Sequence, residues 1–316
     1  MVRCITIQST RKMHCCLTKT TVLRRLPIAT SCSEQLYARH SSTSLFLSHS
    51  IYKPPGQEAG APFLITHGLL GSKLNWNSIA KATAKAVNRK IVTFDARNHG
   101  DSPSQDDISY ELMAEDIQEL SRHLEIEKFS LMGHSMGGRT VMAFALKYPD
   151  LIEKLVVVDV SPLDLYSDFP TMKVYLQTLY DIGLNLKDST IPLSEARKIA
   201  DASLKTVVSE PAVRAFLLTN LAEKDGKIMW KPNLEVLIRN FAEIGKFPKA
   251  LLNKKFDKPT LFIKGEKSQY IPDSVFPEIQ KTFTNAQLST VQNAGHWPHA
   301  ENTGRFMEIL MPFIRP

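Results

Sequence analysis

The chain has 316 residues, 43% hydrophobic and 22% charged, which is enough apolar material for one large core or two small ones. No apolar run approaches the roughly 18 residues that a membrane-crossing helix needs. The formal net charge of +7 is confined almost wholly to the opening segment: seven basic residues (Arg3, Arg11, Lys12, Lys19, Arg24, Arg25, Arg39) face the single acid Glu34 in residues 1–40, while the other 276 residues hold 32 basic and 31 acidic groups. That even balance gives no support to a nucleic-acid-binding groove.

The opening segment also holds every cysteine: Cys4, Cys15, Cys16 and Cys32. The rest of the chain therefore offers no cysteine nucleophile, no thiolate metal site and no internal disulfide. Residues 1–40 contain nine Ser or Thr residues before position 40, one acid and no continuous apolar stretch. This is the composition of a mitochondrial transit peptide rather than a secretory signal, so the expected address is the matrix, with cleavage near Arg39.

From about Leu45 short apolar runs alternate with amphipathic stretches. Residues 61–66, 90–94, 128–132, 155–158 and 260–263 read as strands buried on both faces. Met113, Ile117, Leu120 and Leu124 repeat at helical spacing, as do Phe306, Ile309, Leu310 and Phe313. This alternation predicts an α/β fold, a mostly parallel sheet with helices on both faces. Between Ser161 and about Asp257 the alternation stops. Helix-start signals at Ser194 and Ser209 and helical spacing at Leu234, Leu237, Ile238 and Phe241 predict an all-helical insertion. The expected layout is a core formed by residues 41–160 and 258–316, with an insertion over 161–257.

Gly133-His134-Ser135-Met136-Gly137 matches G-x-S-x-G between a predicted strand and a predicted helix. A tight strand-to-helix turn strains the central residue, and flanking glycines remove side chains that would collide there, so Ser135 Oγ is the expected nucleophile. The bland reading is a helix opened by a small-residue turn. A serine hydroxyl needs a base, and His296 fits best: it follows the strand-like residues 287–291, precedes the last helix and completes the Ser-then-His order. His134 and His299 read as structural. The anionic intermediate needs donors. His67-Gly68-Leu69-Leu70-Gly71 ends an early strand, and the amides of Leu69 and Met136 are the candidates. With no H-E-x-x-H, P-loop or dinucleotide fingerprint, no metal and no cofactor are expected.

His67-Gly68, Asp95-Ala96-Arg97-Asn98-His99-Gly100-Asp101-Ser102, residues Gly133 to Gly138 and Gly295-His296-Trp297 resemble the successive signatures of the α/β-hydrolase superfamily. Together with Asp159-Val160-Ser161-Pro162, Ser268-Gln269-Tyr270 and the stretch from Asn293 to Ala300, the wording resembles the abhydrolase-domain-containing protein 11 group and its small bacterial esterase relatives. The resemblance implies a helical lid inserted after the sixth strand, action on lipid esters such as diacylglycerol, residence in mitochondria, and a role near the lipoylated 2-oxoglutarate dehydrogenase complex. It also makes Asp95, Arg97 and His99 fixers of their own loop.

The third triad member departs from the superfamily pattern. Many relatives carry an Asp three residues after the glycine that ends the strand near Ile263, and here Gly265-Glu266-Lys267-Ser268 puts a serine there. Asp159, just past the strand at 155–158, is one candidate acid. Glu235, at a position assigned catalytic in the related group, is another, and Glu266 and Asp273 stand behind them. In the insertion, Tyr166, Phe169, Tyr175, Leu179 and Phe216 are candidates to line an acyl pocket, although apolar residues at helical spacing more often pack.

The expected function is a serine hydrolase that cleaves carboxylic esters through a Ser-His-acid triad and an acyl-enzyme. The competing reading is a non-catalytic binding protein on the same fold that stabilises a mitochondrial complex, and the serine at 268 is what gives it weight.

Overall fold

The computed structural model describes residues 45–163 and 169–316, so residues 1–40, read from the sequence as a transit peptide, and Tyr166 lie outside the described residues. In chain order the strands are β1 (His49–Tyr52), β2 (Phe63–Thr66), β3 (Ile91–Phe94), β4 (Phe129–His134), β5 (Ile152–Val158), β6 (Leu221–Lys224), β7 (Lys227–Trp230), β8 (Thr260–Gly265) and β9 (Ala286–Val291). Helices α1 (Asn77–Val87), α2 (Tyr110–His123) and α3 (Met136–Lys147) come before the insertion. The insertion holds α4 (Phe169–Leu186), α5 (Leu193–Leu204), α6 (Pro211–Leu218), α7 (Leu234–Arg239), α8 (Phe241–Ile244) and α9 (Lys249–Leu252). After it come α10 (Phe276–Thr282), α11 (Pro298–Glu301) and α12 (Thr303–Ile314).

Seven strands form one sheet in the order β1-β3-β2-β4-β5-β8-β9. Only β1 runs antiparallel, pairing His49 with Phe94 at one edge. The sequence did not suggest β1, because four residues with one exposed position, Ile51, carry no strand period. Every residue of β2, β3, β4 and β8 is buried. The alternation along each strand sends Leu64, Val92, Leu131, Leu155 and Phe262 to one face, where they pack with α2, α3 and the insertion. Phe63, Ile91, Met132, Val156 and Leu261 go to the other face, against α1 and α12.

The insertion leaves the sheet after β5, the fifth described strand. The count of six that the resemblance implied is too high by one, because a single edge strand precedes the parallel run among the described residues. The insertion is also not all-helical. β6 and β7 form an antiparallel hairpin in which Lys224 pairs with Lys227 around Asp225 and Gly226, both at positive φ (52° and 74°). An Asp-Gly pair between two strands is the sequence of a two-residue hairpin turn, and Ile228 and Trp230 bury one face of it. Helices α5 and α6 begin near the serines that announced them, but their N-cap residues are Pro192 and Glu210.

Parallel strands place their carboxyl ends at one edge, so the segments after β2, β4, β5 and β9 meet there. The insertion is seated over this edge by polar bonds as well as apolar packing. Lys231 Nζ pairs with Asp101 at 2.7 Å, Asn233 N donates to Asn98 O at 2.9 Å, and Tyr110 OH donates to Ile244 O at 2.5 Å.

Candidate active site

Ser135 joins β4 to α3 with φ 52° and ψ −117°, a conformation that L-residues avoid and that persists only where surroundings enforce it. The enforcement comes from close backbone packing. A Cβ on Gly133 would lie 2.1 Å from Gly137 O, and one on Gly137 would lie 2.3 Å from His67 O, so neither position has room for a side chain. Ser135 N donates to Val158 O at 2.9 Å, which ties the bend to the end of β5. The hydroxyl is left at the mouth of a cavity.

Two segments from elsewhere in the chain converge on it. His296, in the loop after β9, has Nε2 3.0 Å from Ser135 Oγ and Nδ1 2.7 Å from Asp159 Oδ2. Asp159 is fully buried at the end of β5, at φ 50°. Its Oδ1 accepts from Gly265 N at 3.0 Å, and its Oδ2 accepts from Ser268 Oγ at 2.5 Å as well as from His296. An ionised carboxylate can only accept, so the imidazole carries its proton on Nδ1 and turns the Nε2 lone pair to the serine. The structure thus brings Asp159 and Ser268 together: the serine at the position where many relatives keep their acid donates a hydrogen bond to an acid that arrives from another strand.

The other candidate acids are elsewhere. Glu235 is exposed on the first turn of α7, and the Nδ1 of His296 is occupied by Asp159. Glu266 accepts from Asn293 N at 2.8 Å and steadies the histidine loop, while Asp273 pairs with Lys264 at 2.6 Å. Two residues to which the sequence reading gave no role also shape the site. Glu301 accepts from Gly295 N at 2.7 Å and Trp297 N at 3.0 Å, gripping His296 from both sides. Tyr270 stacks on the imidazole with ring centroids 3.9 Å apart at 18°. Its backbone N donates to Ser268 Oγ at 3.2 Å, so the ring and the acid's partner belong to one short loop. No motif spacing announces these contacts; in the sequence Ser268 and Tyr270 stand out as shared wording, and Ser268 also as a departure, without these roles.

The turn Gly68-Leu69-Leu70-Gly71 is closed by Gly71 N donating to Gly68 O at 2.9 Å. It lies against the nucleophile, since a Cβ on Gly68 would be 3.1 Å from Ser135 Cβ. Leu69 and Met136 both line the cavity, and Met136 is the first residue of α3, where a helix leaves its amides without intrahelical partners.

The histidines around the pair are held neutral. Burial pushes His134 well below the usual imidazole value, and brings both His299 and His99 down to about 3; burial also lowers His67. His134 Nε2 donates to His296 O at 2.7 Å, so it supports the loop of the base, and His299 stacks on Trp76 at 4.3 Å. The Asp95 segment is a scaffold. Asp95 accepts from Lys73 N, Lys73 Nζ and Asp101 N, Arg97 grips Asp116 through two bonds, and His99 Nδ1 donates to Arg97 O.

A cavity of about 180 Å³ opens beside Ser135, with Val160, Met172, Tyr175, Val213, Phe216 and Trp297 among its lining residues. Of the insertion residues named from the sequence, Tyr175 and Phe216 reach it. Leu179 does not: it is fully buried in the insertion's own packing. The side chain of Phe169, like Tyr166, lies outside the described residues. Among the described residues no group of three or more His, Cys, Asp or Glu side chains could hold a metal ion, and no helix is long and apolar enough to cross a membrane.

Residues 61–303 match the family model of the α/β-hydrolase fold. The chain is 39% identical over 292 residues to the sn-1-specific diacylglycerol lipase ABHD11 of Mus musculus, covering 92% of this chain and 93% of that one. It is 29% identical over 258 residues to the esterase YbfF of Escherichia coli, covering 82% and 94% of the two chains. Among solved structures, a marine microorganism esterase superposes with a TM-score of 0.76 at 35% identity, over 86% of this chain and 100% of that one. The chain belongs to the α/β-hydrolase fold family and is, within it, a carboxylic ester hydrolase of the group that holds the ABHD11 proteins and their bacterial esterase relatives.

Proposed function

We propose that this hydrolase works through Ser135, His296 and Asp159 and forms an acyl-enzyme on Ser135. The observation that carries the reading is the unbroken path from Ser135 Oγ to His296 Nε2 (3.0 Å) and from His296 Nδ1 to Asp159 Oδ2 (2.7 Å). With an ester carbonyl over Ser135, His296 takes the hydroxyl proton as Oγ attacks the carbon, and the amides of Leu69 and Met136 receive the oxyanion. Asp159 stabilises the imidazolium. Collapse expels the alcohol, protonated by His296, and a water activated by the same base then releases the acid.

We propose lipid acyl esters, diacylglycerol among them, as the substrate. The apolar lining from Val160, Met172, Val213 and Phe216 suits an acyl chain, and the mouse relative is named for that reaction. Competition for a fluorophosphonate label by a panel of acylglycerols and thioesters tests this, with Ser135→Ala as the blank. Protection by diacylglycerol ahead of the others is expected; protection by thioesters alone refutes the substrate class.

The non-catalytic alternative rested on the missing acid at 268, and Asp159 supplies a carboxylate to His296. Residence in the mitochondrial matrix is part of the proposal and rests on the Arg-rich, hydroxyl-rich, acid-poor composition of residues 1–40. A role near the 2-oxoglutarate dehydrogenase complex rests on the resemblance alone. Import into isolated mitochondria with protease protection tests the first, and co-sedimentation with the purified complex the second. An unprotected chain, or one that stays in the supernatant, removes the respective claim.

A further inference from the structure

Leu70 is a buried residue at φ 60° in the third position of the turn that carries Leu69. That position normally takes glycine, because a side chain at positive φ meets its own backbone. A leucine stays there only if surrounding bonds fix the turn. Two of those bonds come from the core. Gly71 N donates to Gly68 O, and His67, whose Nε2 accepts from Ala96 N at 3.0 Å, donates from Nδ1 to Gly68 O at 2.8 Å. Both hold the entry side of the turn.

The exit side is held from the insertion. Asn220 Nδ2 donates to Leu70 O at 2.7 Å and to Leu217 O at 3.2 Å. Two carbonyl oxygens facing one atom fix that atom as the amide nitrogen. Asn220 is 3% exposed and sits where α6 passes into the hairpin, with its own N donating to Leu217 O and its O accepting from Lys231 N at 2.9 Å. The same junction reaches the core again through Lys231, which lies across the hairpin from Asn220 and pairs with Asp101.

We propose that Asn220 is a positioning residue: it holds the Leu69 turn in the geometry that receives the oxyanion, so that correct seating of the insertion is a condition of the chemical step. This rests on the serine hydrolase reading given above. It separates the insertion's two tasks. The apolar lining binds the substrate, and Asn220 completes the site that stabilises the charge formed during reaction.

The test uses the full chain with Asn220→Asp, which puts an acceptor against Leu70 O, and Asn220→Ala, where water can take the donor's place. Four quantities are measured: kcat and KM for a p-nitrophenyl ester, affinity for an alkyl trifluoromethyl ketone that adds to the serine, and affinity for the ether of the same chain, which cannot react. Asn220→Asp is expected to lower kcat and ketone affinity together by about 10- to 100-fold, as displacement of an oxyanion donor would, with KM and ether affinity within about twofold. Asn220→Ala should fall between this and wild type, and carries the test alone if the aspartate variant does not fold. A structural role alone would lower the melting temperature and leave the ketone-to-ether ratio of the folded fraction unchanged, which overturns the proposal. Equal loss of ether and ketone overturns it too. A wild-type chain that neither turns over the ester nor binds the ketone refutes the hydrolase reading itself, and the role of Asn220 with it.

Discussion

Replacing Asp159 by Asn changes one atom in the network and should disable it. Asp159 accepts from three donors, Gly265 N on Oδ1 and both Ser268 Oγ and His296 Nδ1 on Oδ2, and the residue is fully buried. An amide has one acceptor oxygen. If that oxygen faces Gly265 N, the NH2 group meets Ser268 and His296. The hydroxyl can rotate to accept, but the imidazole must present a lone pair at Nδ1 and so carry its proton on Nε2, 3.0 Å from Ser135 Oγ. In that tautomer it cannot take the serine proton. If the amide is reversed, NH2 faces the N–H of Gly265, and two donors oppose each other in a buried site. The first arrangement prevails, and the expected loss in kcat is about 10⁴-fold, or about 5.5 kcal/mol of transition-state stabilisation. The assay is ester turnover at neutral pH with folding checked by circular dichroism, with Glu235→Gln in parallel. Glu235→Gln should stay within about twofold of wild type. A folded Asp159→Asn chain with more than about a tenth of wild-type activity, or a large loss in Glu235→Gln, would refute the assignment of the acid.

Three further outcomes follow from the geometry. Ser268→Ala removes a 2.5 Å bond to the buried carboxylate and should lower stability by about 1.5–3 kcal/mol and kcat by about tenfold, read by urea unfolding and turnover; unchanged values would show that the hydroxyl is not a significant partner of Asp159. Gly137→Ala puts a Cβ 2.3 Å from His67 O, so it should lower stability by about 3 kcal/mol, or about 6–12 °C in melting temperature, and shift the Met136 amide; a normal melting temperature contradicts the packing. His67, His99, His134 and His299 all titrate below the free value in the folded chain, so the unfolded chain binds more protons. Their contribution is complete above pH ~6.5 and is lost as pH falls toward about 3, the value for His99 and His299. Melting temperature should therefore fall with pH across that window, and less steeply in His299→Phe; an identical slope in that variant would contradict the burial of a neutral His299.

The fold was legible where its physics is local. Residues 63–66, 91–94 and 260–263 are continuously apolar or β-branched, which marks strands buried on both faces, and Gly133 to Gly137 announces its bend because two glycines are needed where backbones touch. Elements below that level were missed for local reasons as well. Leu221-Ala222-Glu223-Lys224 is made of good helix formers and reads as helix, and only Asp225-Gly226 betrays the hairpin. The acid is a different case. Asp159 and Glu235 both follow plausible positions along the chain, and spacing does not say which loop reaches His296. Asp159 meets it because β5 lies between β4 and β8 in the sheet, a fact of strand order. Asn220, Tyr270 and Glu301 act through contacts between distant segments or across a loop and leave no repeating pattern.

The most direct test of the central claim is to digest the protein after brief incubation with an activated ester or fluorophosphonate and to locate the added mass. One adduct per chain on the peptide that contains Ser135, absent from both Ser135→Ala and His296→Ala, is the result predicted here. An adduct on another side chain, or ester turnover that survives Ser135→Ala, would contradict it.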